Sequence, residues 1–237
     1  MTASAGQRST VDPVVLSLPF TGRWLTQNSP ARRVPSHGTH LLASTYAIDF
    51  VGVDERHRTA GRRDWRTLLA TEPVERYVGY GRAILAPGDG VVVRAHDGER
   101  DHEGRRSQLA LVPYALGQPA RLRAGVEAVA GNHVVVGLRD REAFVALVHL
   151  RRGSIRVGVG DEVVAGQVLA QCGNSGNSTQ PHVHLQVMDD VDPFAAAGVP
   201  ILFENYRIQR RDGTQDLVPQ GMPGDGDIVE VANPSAG

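Results

Sequence analysis

The chain has 237 residues, with 25 Lys+Arg against 26 Asp+Glu, a formal net charge of -1 and an apolar share of 41%. That balance excludes disorder of the whole chain and leaves no electrostatic case for nucleic acid or an anionic membrane as main partner. The single cysteine, Cys172, excludes an intrachain disulfide.

In chain order, Met1–Thr10 is polar and lacks the apolar run of a secretory signal, which predicts a soluble chain, cytoplasmic by sequence, for which action at the cell envelope would require non-standard export. No stretch approaches the roughly 18 to 20 apolar residues that a membrane span needs. Residues 13–35 mix apolar pieces with Pro19, Gly22, Pro30 and Pro35 and read as an extended lead-in. Tyr46–Val51 reads as a buried strand with one acid, Asp49, inside it. Residues 54–79 are charged, and Asp64 is placed to cap a short helix reaching Ala70.

From Arg82 the pattern changes to short β-branched runs broken by Gly, Pro and Asp: Ala83–Ala86, Gly90–Ala95, His133–Leu138, Phe144–Leu150, Asp161–Gln171 and His182–Met188. This alternation of strands and turn residues predicts an all-β fold, an antiparallel sandwich or barrel with few short helices. Pro87–Gly90 is a tight turn between two strands. Residues 97–107 read as a polar loop insertion. Residues 201–237 open on Ile201–Phe203 and end in a Gly/Pro/Asp-rich tail expected to be disordered at its end.

Of nine histidines, His57, His96 and His102 lie in charged or turn-like segments, and His133 is expected to open a strand half exposed. His182 and His184 are two apart, so in a strand both imidazoles face one side. The Gly/Asn/Ser/Thr run 173–180 leads into them. His149 closes an apolar strand. Asp49, in its own apolar strand, needs a partner, because an unpaired buried charge is costly. An arginine or a metal ion would serve. Together these residues supply histidines and a carboxylate for a zinc site with an open position, plus spare imidazoles to handle a proton.

Several runs, taken in order over about residues 80–190, resemble the lysostaphin-type (glycyl-glycine, beta-lytic) zinc metalloendopeptidases: Ala86–Val92, Gly131–Val136, Leu147–Leu150, Val157–Leu169, Gly173–Thr179 and Pro181–His184. The resemblance implies an antiparallel β groove, a zinc cofactor, and hydrolysis of peptide bonds in peptidoglycan cross-links or stem peptides. It implies Asp49 and His184 as zinc ligands and His149 and His182 as catalytic histidines. The common family pattern sets its first histidine four residues before the aspartate. Here that position is Thr45, and a longer spacing points to His37 as the first ligand, with His40 as alternate.

The expected organisation is an extension over 1–30, a zinc peptidase-like β domain over 31–200 and a C-terminal extension over 201–237. A second reading, a non-catalytic relative that binds peptidoglycan or a partner and regulates another hydrolase, rests on Thr45. Gly160–Gln167 also resembles lipoyl and biotinyl carriers and sugar phosphotransferase subunits. Carriers need a modified lysine, which the chain lacks, and a phosphocarrier has no need of Asp49.

Overall fold

The computed structural model describes residues 12–61, 67, 70–105 and 125–232. The lead-in supplies β1 (Val14–Leu16) and β2 (Trp24–Gln27), and the acid-bearing run forms β3 (Ile48–Gly52). The β-branched runs form β4 (Ala83–Leu85), β5 (Gly90–His96), β6 (Asn132–Leu138) and β7 (Phe144–Leu150). The run 161–171 divides into β8 (Glu162–Val163) and β9 (Val168–Gln171) around a turn in which Gly166 has φ +83°. β10 (Val183–Met188), β11 (Ile201–Gln209), β12 (Gln215–Gly221) and β13 (Ile228–Val231) follow. One short helix, α1 (Val126–Ala130), precedes β6. The helix expected from Asp64 falls largely outside the described residues, as do the termini.

The main sheet runs β1-β11-β13-β2-β3-β10-β7-β6-β5-β8, with β12 paired to β11, and β4 pairs with β9 apart from it. The fold is all-β, as the alternation of strand and turn residues predicts. Its sheet departs from the antiparallel expectation at one place, where β1 runs parallel to β11. Those strands lie far apart in sequence, so no hairpin imposes a direction on them. Strands from both segments expected as extensions, β1, β2 and β11 to β13, lie in this sheet. Among the described residues no helix is long and apolar enough to cross a membrane.

Away from two register shifts, on β5 and β7, the two faces of the sheet are separated by alternation. Val134, Val136, Val145, Leu147, Val183, Leu185 and Val187 point into the main core, against Ile84, Leu169 and Cys172 from the β4–β9 layer. Val135, Ala146, Val148 and Met188, their neighbours along the strands, form a smaller cluster on the opposite face. An aromatic chain ties the ends of the molecule to the core. Phe20 lies 4.6 Å from Trp24 and 4.9 Å from Phe50, and Phe50 lies 5.5 Å from Phe203, centroid to centroid. Each such buried side chain contributes roughly 1.5–3 kcal/mol.

One loop contact needs glycine on both sides. Gly131 (φ +64°) and Gly176 (φ +66°) lie backbone to backbone, and a Cβ on Gly176 would collide with the Gly131 nitrogen. Gly176→Ala should therefore destabilise the protein by at least about 1 kcal/mol, read as a lower urea midpoint. Cys172 is fully buried, and burial pushes its thiol pKa well up, with Asp101 acting in the same direction. The thiol should react with an aromatic disulfide reagent only after denaturant is added; labelling of the native protein at the rate of a free thiol would contradict this packing.

Candidate metal centre and groove

The outer face of β3, β10, β7, β6 and β5 forms the floor of a groove of about 410 Å³. β3 and β10 pair antiparallel with His184 directly opposite Asp49. Ile48 and Phe50 point into the core, so Asp49 faces the groove with His184. The loop before β3 brings in His37. Donor atoms of His37, Asp49 and His184 all lie within 4.8 Å of one another, the one such group among the described residues. His40 is not in it: its Nδ1 sits 3.0 Å from the Thr45 hydroxyl in an exposed position.

The hydrogen bonds behind these rings fix their tautomers. Ser36 Oγ donates to the Ser44 carbonyl, so it accepts from His37 Nδ1 at 3.0 Å and leaves Nε2 facing Asp49 Oδ2 at 3.1 Å. Gln186 Nε2 donates to the Leu42 carbonyl at 2.7 Å, which turns its oxygen to accept from His184 Nε2 at 3.0 Å. His184 Nδ1 is left facing Asp49 Oδ1 at 2.9 Å. Asn28 Nδ2 donates to the remaining side of the carboxylate at 2.7 Å. Two ring nitrogens, each with its partner nitrogen's proton already committed, thus converge on a carboxylate. That arrangement is favourable only with positive charge between them, carried by second protons or by a metal ion. The set has the donor types and closeness that a divalent zinc ion takes.

Asp49 is 6% exposed. Burial alone would raise its pKa, but the charge of His182 and the hydrogen bonds with His184 and His37 outweigh that and hold it well below the usual carboxylate range.

His182 precedes β10 and also lines the groove. The Gln180 carbonyl, 2.8 Å from Nδ1, can only accept, so His182 donates there and turns Nε2 toward Asp49 Oδ1 at 3.7 Å. His149 is built by a β-bulge. Asn132 pairs with Leu150 but Val134 with Leu147, so β7 carries one extra residue, and His149 has φ +64°. Leu147 and Leu150 point into the core while both Val148 and His149 line the groove. His149 Nδ1 donates to the Ser175 carbonyl at 2.9 Å, so Nε2 faces the groove. Burial drives its pKa well below the ordinary histidine value, and the charges of His182 and His184 push the same way. The ring is a neutral acceptor at neutral pH. Its centroid lies 4.8 Å from that of His182 and 6.0 Å from that of His184.

Sequence reasoning missed the supporting residues. Asn28, Gln186 and Ser175 hold Asp49, His184 and His149 in place. Only Gln186 left a signal, two residues beyond His184 on the same strand face. The loop 97–105 props the loop that supplies Ser175: Asp101 accepts from Asn174 N at 2.7 Å, and Asn132 bonds both Glu99 and Leu150. His133, expected half exposed, is 2% exposed: its ring stacks on His96 with centroids 5.6 Å apart, and its Nδ1 lies 2.8 Å from the Gly131 carbonyl.

No curated protein matches the sequence. Among solved structures, the catalytic domain of the antimicrobial peptidase lysostaphin from Staphylococcus simulans is 18% identical, covering 65% of this chain and 77% of its own, at a TM-score of 0.37. LytU is 20% identical over 83% of this chain and 88% of its own, at 0.37. The deep-sea M23 metalloprotease pseudoalterin is 15% identical over 87% and 96%, at 0.41. Residues 119–196, which hold His149, His182 and His184, match the model of Peptidase family M23, and it is this family of lysostaphin-type peptidases that the chain resembles.

Proposed function

We propose that the chain is a zinc metalloendopeptidase acting on peptide bonds of peptidoglycan cross-links or stem peptides. The observation that carries this reading is the joint geometry of the groove. Three donors of metal-binding type lie within 4.8 Å of one another, beside two imidazoles whose Nε2 atoms face the same space. His37 through Nε2, His184 through Nδ1 and the Asp49 carboxylate are the ligands in this reading. A zinc ion there would polarise the scissile carbonyl and lower the pKa of a bound water to about 7.

The chain's own residues supply the rest. His149, neutral and fixed by the Ser175 carbonyl, is the acceptor for a proton leaving the attacking water. His182, anchored through the Gln180 carbonyl and the Ser178 hydroxyl, is placed to stabilise charge developing on the carbonyl oxygen when its Nε2 carries a proton. Asp49 stays ionised at neutral pH, so it is ready as a ligand without first losing a proton. The resemblance of the sequence runs and the family M23 match support peptidoglycan peptides as substrate. The regulator reading loses its main support in this geometry, since His37 reaches Asp49 where Thr45 cannot serve.

The purified protein should carry about one zinc per chain, by elemental analysis. His37→Ala and His184→Ala should lose it, and His40→Ala should keep it. Loss from His40→Ala with retention in His37→Ala would move the first ligand to His40. Absence of zinc from the parent protein, even after incubation with excess metal, would remove the enzyme reading. Imidazole binds a metal ion only through an unprotonated nitrogen, so zinc affinity should fall as pH falls. Gln186→Ala removes the acceptor that sets the His184 tautomer and should weaken zinc affinity roughly 10- to 100-fold in a chelator competition.

A further inference from the structure

Opposite the histidine end, the groove holds a cation that the mechanism does not use. Arg94 lies on β5, where Val92 pairs with Val136 but Arg94 with Val135, a second bulge in the same sheet. Val92 points into the main core and Ala95 packs against it, while Val93 packs on the groove-side cluster and Arg94 lines the groove. Simple alternation from Val92 would have sent Arg94 toward the core side. The extra residue turns it out.

Among the described residues, Arg94 is the one arginine lining the groove, and its guanidinium makes no hydrogen bond or ion pair with any of them. Among the described residues the one acid lining the groove is Asp49, already engaged by Asn28, His37 and His184. Val135 stands beside Arg94 across the β5–β6 ladder, and Val126 and Val129 of the helix line the same groove. His133, on the neighbouring strand, adds no rival charge, since burial lowers its pKa and Arg94 pushes it the same way. A guanidinium held beside apolar walls without a counter-ion is a ready bidentate partner for a carboxylate.

We propose that Arg94 binds a carboxylate of the peptide substrate and so sets which end of the peptide enters the groove. This rests on the peptidase reading and narrows its substrate to an acidic or carboxyl-terminal peptide. Arg94, Val135, Ala146 and Gln186 stand in register on four neighbouring strands. At a strand spacing of about 4.8 Å, the Arg94 backbone lies roughly 14 Å across the floor from Gln186, which adjoins His184. Allowing for the reach of the side chain, the bound carboxylate lies on the order of two to four extended residues from the scissile bond.

The test uses N-terminally labelled tetra-alanine in three forms: free acid, carboxyl-terminal amide, and an amide ending in glutamate. Binding to the zinc-loaded protein is followed by anisotropy. The free acid, the glutamate peptide or both should bind about tenfold more tightly than the plain amide, and which of them does so tells a main-chain from a side-chain carboxylate. In Arg94→Gln that preference should collapse to near unity, and Arg94→Lys should keep part of it. Circular dichroism and zinc content report whether the variants stay folded and loaded. Equal binding of all three peptides by the parent protein, or a preference that survives in Arg94→Gln, would overturn the proposal. A parent protein with no zinc that still shows an Arg94-dependent preference would overturn the peptidase reading and leave the carboxylate site standing.

Discussion

Asp49 is a nearly buried carboxylate, and its two oxygens are reached by Asn28, His37 and His184 at 2.7 to 3.1 Å, with His182 at 3.7 Å. An ionised carboxylate in such a place survives only if every lone pair is met. The arrangement of the groove follows from that demand. β3 and β10 have to pair in the register that sets Asp49 against His184, because a slip of one residue would turn one of them into the core. The loop before β3 has to fold back to bring His37 across. Ser36 and Gln186 have to occupy the far nitrogens of the two rings, or the near nitrogens would lose their orientation. The positive charge that this cluster calls for is what makes it suited to a metal ion.

The sheet then departs from regular alternation at two places, and both departures add a polar group to the same face. On β7 the bulge turns His149 out beside Val148; on β5 it turns Arg94 out beside Val93. A regular strand can offer a groove only every second residue. The bulges let a floor made mostly of Val, Ala and Met carry a base near one end and a cation at the other. The positive φ of His149 costs on the order of 1–3 kcal/mol. The Ser175 carbonyl and the loops tied by Asn132 and Asp101 hold the residue there.

The strands from β3 to β10 were legible because the runs that form them are short, β-branched and separated by turn residues. His182 and His184 drew notice because residues two apart in a strand share a face, and Asp49 because an acid in an apolar strand needs a partner; only the set taken together pointed to a metal site. His149 was visible as a residue but not as a groove residue, since its placement depends on a bulge created by register with β6. Arg94 was lost for the same reason. The strands β11 to β13 were read only as an extension, because their outer faces alternate with Gln, Glu, Asp and Arg, and nothing local says that β11 pairs with β1 and β13 with β2, about two hundred residues earlier. Asn28 sits in the lead-in, and only the tertiary fold brings it to Asp49.

That long-range pairing bears on the site itself. His37 does not ride on a strand, as Asp49 and His184 do; it sits on a loop whose start is fixed from the other end of the chain. Ser29 N donates to Asp225 Oδ1 at 2.6 Å, Ser29 Oγ donates to the Pro223 carbonyl, and Arg32 pairs with Asp225 at 3.0 Å. Thr26 N and the Asp227 carbonyl continue the contact at 2.8 Å. A donor on an untethered loop would have to be ordered at the moment of metal binding, at an entropic cost of about 1–2 kcal/mol for each residue fixed. Here the strands after residue 200 have already met much of that cost in folding. Of the five groups given a role in the site, the family match over residues 119–196 covers three, His149, His182 and His184. The other two, His37 and Asp49, come from chain outside it, and the segment that steadies His37 lies beyond its far end. The groove is therefore a property of the whole sheet rather than of the matched stretch.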